Sequence, residues 1–134
     1  MKFHLTIATC FAALIFPVCA DDETELTKKM DELNDHYKSI RREEDPAKGA
    51  VSAREAQKLI AASLNLVPEM LTSMKDGPGK ENALAIYRQL MGESFVLLCK
   101  IEQAYLAKDM DKAAEHYAAL KELRKLGHDK FIED

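Results

Sequence analysis

From residue 25 onward, apolar residues recur three and four positions apart, the spacing that places side chains on one face of a helix. Leu26, Met30, Leu33, Tyr37 and Ile40 form the first such stripe. Asp22-Glu23-Thr24-Glu25 ahead of it reads as an N-cap with an acidic first turn, Arg41 and Arg42 suit its carboxyl end, and Asp45-Pro46 breaks it. Ser52-Ala53-Arg54-Glu55 has the form of a capping box and predicts a second helix opening there, with Ala53, Ala56, Ile60, Leu64 and Val67 on one face. Pro68 ends or kinks that helix, and Asp76-Gly77-Pro78-Gly79 is a strong breaker. A third and longest helix carries Leu84, Tyr87, Met91, Leu98, Ile101 and Tyr105. Ala107-Lys108-Asp109 makes a tight connection in which Asp109 is the N-cap of a fourth helix, striped by Ala113, Tyr117, Leu120, Arg124, His128 and Phe131.

Four stripes joined by short connections predict an all-α fold, an antiparallel up-down-up-down four-helix bundle, and no segment reads as a strand. Composition agrees: 134 residues make one domain, 47% of them hydrophobic and 31% charged, with no Trp and few Gly or Pro. A net charge of −4 without a basic run gives no reason to expect nucleic acid or an anionic membrane as a partner.

Residues 1–20 read as an address. Lys2 precedes a largely apolar run from Leu5 to Phe16, and Val18-Cys19-Ala20 offers the small residues of a cleavage site. The run is short for a bilayer core of ~30 Å, so a cleaved secretory signal is expected, with residues 21–134 forming the mature bundle and no membrane insertion of that part. Cys10 and Cys19 leave with the signal. Cys99, one step off the seam of the third helix, then has no partner for an internal disulfide and reads as an inert buried thiol.

The expected topology decides which residues can meet. The start of the first helix, the end of the second, the start of the third and the end of the fourth share one end of such a bundle. Met30 and His128 both fall about two turns in from that end. His128 lies three turns of ~3.6 residues beyond Tyr117 and shares its core-facing stripe. His36 is well over about 90° round the helix from Met30, and His116 lies on a flank. Each member of the pair has an ordinary explanation, Met30 as core filler and His128 as a solvated residue favoured by the helix dipole. Spacing alone leaves the choice open.

The stretch Leu26-Thr27-Lys28-Lys29-Met30-Asp31-Glu32-Leu33-Asn34-Asp35 resembles the first helix of the soluble cytochrome b562 family, whose axial methionine stands four residues before Asn-Asp. Leu120-Lys121-Glu122-Leu123-Arg124-Lys125-Leu126-Gly127-His128-Asp129-Lys130-Phe131 resembles its last helix, where an Arg precedes the axial His by four residues. That family is a known example of the short-loop bundle. The resemblance implies one haem b with Met30 and His128 as axial ligands to the iron. It implies haem walls from Leu33, Leu84, Tyr87, Met91 and Leu126, a cap from the Pro68 loop, and Arg124 beside a propionate or the haem edge.

Two protein ligands would leave no open coordination site, which fits outer-sphere electron transfer to a redox partner in the periplasm rather than oxygen binding or catalysis. Without a Cys-x-x-Cys-His motif, the haem would be held by coordination and burial alone. The chain departs from the family pattern at Gly127, where an aromatic is common, at Ile132, where a basic residue would assist a propionate, and at Tyr87 and Met91, which replace aromatic pocket positions. The alternative is an exported helical binding or chaperone-like bundle without a cofactor.

Overall fold

The computed structural model describes residues 23–132, all of its regular structure helical. The expected signal, residues 1–20, lies outside the described residues. Helix α1 spans Glu25–Arg42, α2 Pro46–Ser63, α3 Glu69–Thr72, α4 Pro78–Leu106 and α5 Met110–Phe131. Four are long, while α3 is a single turn inside the connection from α2 to α4.

Local chemistry sets the helix ends. The Thr24 hydroxyl accepts from the Thr27 amide and caps α1, Glu25 occupies the first turn, and Arg41 and Arg42 close the last. Helix α2 corrects the sequence expectation. It opens at Pro46 rather than at Ser52, because the Asp45 carboxylate accepts from the Ala47 amide at 2.9 Å and Pro46 takes the first helical position. Proline there forfeits an N–H that has no intrahelical partner anyway and brings a preset φ. Ser52 to Glu55 therefore sit inside the helix, and Val67, expected on its buried face, lies beyond its end and is 41% exposed. Gly77, at φ 147°, supplies the turn before Pro78 opens α4. Asp109 caps α5 as expected, accepting from the Lys112 amide at 3.0 Å.

Helix α1 packs on α2, α2 on α4, and α4 on α5, whereas α1 and α5 barely touch. Leu33, Tyr37 and Ile40 of α1 meet Ala53, Ala56 and Ile60 of α2, Leu98 and Ile101 of α4, and Ala113 and Leu120 of α5 in one core. Each fully buried Leu or Ile contributes roughly 1.5–3 kcal/mol of transfer free energy. The alanines keep α2 slim enough to lie close against α4.

Two tyrosines tie the helix ends together. The Tyr105 hydroxyl, near the end of α4, donates to the Ile40 carbonyl near the end of α1 at 2.7 Å, and its ring fills the space above Gly49 at the start of α2. The Tyr87 hydroxyl, near the start of α4, donates to the Ser63 carbonyl at the end of α2 at 2.9 Å. Its ring meets Phe131, at the end of α5, edge to face with centroids 5.8 Å apart. Between these ties, Glu102 of α4 accepts from both Arg54 and Gln57 of α2.

Candidate functional site

Because α1 and α5 stand apart, a crevice of about 790 Å³ opens beside α4, within the range of cofactor sites. Helix α1 contributes Met30, Leu33 and Tyr37 to its walls. Tyr87, Leu90, Met91 and Ser94 come from α4, and Leu123, Arg124, Gly127, His128 and Phe131 from α5. Pro68, Met70 and Ser73 of the α2–α4 connection close one side. The walls are mainly apolar, and their charged residues are Asp31, Glu69 and Arg124.

Helical periodicity explains which side chains converge. Met30, Leu33 and Tyr37 follow at spacings that keep them on one face of α1. Arg124, His128 and Phe131 do the same on α5. Six expected residues thus line one crevice: Met30, Leu33, Tyr87, Met91, Arg124 and His128. Two expected wall residues do not. Leu126 is 44% exposed, because a position two residues from both Arg124 and His128 lies about 200° round the helix from each. Leu84 is half-buried one turn nearer the start of α4, and the lining stops at Tyr87. His36 and His116 lie outside the lining.

The sequence reading missed Leu90 and Ser94, although both continue the stripe of Tyr87 and Met91 at helical spacing. Met70 and Ser73 fall within the Pro68 loop expected as the cap, but neither was singled out. Four helical residues after a proline carry no periodic signal, and the one cue is Pro68 directly before Glu69.

The electrostatics favour neutral groups. His128, expected on a core-facing stripe, is exposed at the crevice edge, yet partial burial, and then the charge of Arg124, lowers its pKa below the usual value, against a weaker opposing pull from Asp129. The imidazole is therefore held in the form whose ring nitrogen can donate to a metal. Burial raises the Tyr87 phenol to about 12 and pushes Tyr37 up further, so both remain protonated near neutrality. The Arg124 guanidinium sits over the Tyr37 ring, with Cζ 5.8 Å from the centroid. Burial and the nearby Glu102 raise the Cys99 thiol, which is half-buried rather than buried as expected and lies away from the crevice.

Among the described residues no three His, Cys, Asp or Glu side chains cluster as a metal site. The soft thioether of Met30 and the neutral imidazole of His128 form a different donor set, suited to an iron already held by a macrocycle. A mainly apolar crevice with those donors and one cation, Arg124, fits a flat, largely apolar group that bears acidic substituents. No described helix is long and apolar enough to cross a membrane.

Comparison with curated proteins gives no match. The family model for cytochrome b562, a family of haem-binding electron carriers, matches residues 25–131, nearly the whole described chain. The chain belongs to the cytochrome b562 family.

Proposed function

We propose that this chain is a periplasmic electron carrier that holds one non-covalent haem b, with Met30 and His128 as its axial ligands. The observation that carries this reading is the presence of both side chains, from helices that barely touch, on the walls of one crevice. The ties made by Tyr105 and Tyr87 support an up-down-up-down order of α1, α2, α4 and α5, which brings the start of α1 and the end of α5 to the same end.

Leu33, Leu90, Met91 and Phe131 would exclude water from the porphyrin faces, and Arg124 would meet a propionate. Leu126 and Leu84 drop out of the expected wall. Bound haem supplies a one-electron ferric–ferrous couple, and a thioether ligand favours the ferrous state and so raises the potential. His128, exposed at the crevice edge, would donate its neutral ring nitrogen, and half-buried Met30, packed against the core, would donate its sulfur. Residues 21–134 contain one cysteine, Cys99, so no paired thioether attachment is available. The redox partner is a protein yet to be identified. Export by cleavage after Ala20 would place the mature amino terminus at Asp21, which amino-terminal sequencing of the protein from a periplasmic extract checks.

Absorption spectroscopy of the haem-loaded protein tests the ligation. The wild type is expected to be low-spin with a sharp reduced α-band. Met30→Ala should turn high-spin, and His128→Ala should lose the band. A chain that takes up no haem, or two variants with the wild-type spectrum, would overturn the proposal and leave the exported cofactor-free bundle standing.

A further inference from the structure

We infer that Tyr37 is the positioning residue for the crevice's cation: its ring holds the Arg124 guanidinium where an acidic substituent of the bound group will meet it. The inference rests on the haem reading above, under which that substituent is a propionate carboxylate. Arg124 is the one Lys or Arg on the crevice lining among the described residues, and none of their carboxylates pairs with it. Asp31 and Glu69 also line the crevice, but neither is within ion-pair distance of Arg124, which leaves this cation free to meet an anion and in need of something to hold it in place meanwhile. The face of Tyr37 does this, with Arg124 Cζ 5.8 Å from the ring centroid, inside the ~6 Å range of a cation–π contact.

The other two buried tyrosines sharpen the assignment. Tyr87 and Tyr105 each donate their hydroxyl to a backbone carbonyl on another helix. Tyr37 is just as buried over the whole residue, at 5% exposed, but its hydroxyl makes no hydrogen bond to another described residue and, since no buried side-chain oxygen among them lacks a partner, it reaches solvent. What tyrosine offers here and leucine does not is an aromatic face, and Arg124 occupies it. Burial keeps the phenol neutral, so the attraction is that of the ring rather than of a phenolate. Arginine loses considerable side-chain freedom when it is fixed, and a guanidinium already stacked before binding has less to lose.

Titration of each protein with haem and with haem dimethyl ester, whose carboxylates are masked, tests the assignment. Tyr37→Leu should weaken haem binding about three- to tenfold more than it weakens ester binding, the wall change being common to both. Tyr37→Phe, which keeps the face and drops the hydroxyl, should stay within about twofold of wild type for both. In an Arg124→Gln background, Tyr37→Leu should add no further loss of haem binding relative to the ester. If Tyr37→Leu does not fold, Tyr37→Met serves in its place with the same expectations. Equal losses for the two porphyrins, a Tyr37→Phe variant as weak as Tyr37→Leu, or additive losses with Arg124→Gln would overturn the positioning role while leaving the haem reading intact. A wild-type chain that binds neither porphyrin overturns both.

Discussion

Two glycines show how much a single missing Cβ can matter in this molecule. At Gly49 the added carbon would run into the Tyr105 ring, which is fixed by its hydroxyl bond to Ile40. Gly49→Ala should therefore cost about 1–3 kcal/mol, read as a lower urea midpoint with an unchanged slope. Gly127 is the opposite case, because nothing lies within 4 Å of where its Cβ would stand. Gly127→Ala should gain about 1 kcal/mol by the same measurement, since glycine in a helix interior is that much poorer than alanine. His128, the next residue, makes stability depend on pH. Its folded pKa lies below the ordinary 6.5, so between the two values the unfolded chain binds more protons. The cofactor-free protein should keep this contribution above about pH 6.5 and lose it as the pH falls through the folded value, whereas His128→Gln should lack that acid-side slope. Urea midpoints measured from about pH 7 down to about pH 5 check the sign.

Helices form here for reasons that were largely readable, and the exceptions are instructive. The stripes of α1, α4 and α5, and the Asp109 cap, follow directly from spacing and capping chemistry. The start of α2 was misread because Ser52 to Glu55 fits a capping box, while Asp45-Pro46 looks like a break and is in fact the cap and first position of the helix. Asp45→Ala should therefore destabilise the protein by about 0.5–2 kcal/mol, whereas Ser52→Ala, inside the helix, should stay within about 0.5 kcal/mol of wild type. Thermal melts of the two variants separate the alternatives. In the crevice, the seam positions Met30, Leu33, Tyr87, Met91, Arg124 and His128 were legible because one helical face points one way. Leu126 failed the same test and could have been discarded by it. Helix α3 was not legible, since one turn is too short to carry a period, although the Pro68 loop that contains it was expected to cap the crevice and does line it.

As a whole, the molecule joins its long helices along three firm contacts and leaves the α1–α5 side loose. A bundle closed on all four sides would have no room for a flat group, and this open side is where the proposed ligands stand. Binding there should stabilise the fold: haem at about 100 times its dissociation constant adds about 2.7 kcal/mol, seen as a raised melting temperature that Met30→Ala and His128→Ala reduce. The most direct test of the account is an X-ray absorption spectrum at the iron edge of the haem-loaded protein. The account predicts one sulfur neighbour alongside the nitrogens, with the sulfur lost in Met30→Ala. An iron shell without sulfur in the wild type, or one unchanged by Met30→Ala, would contradict it.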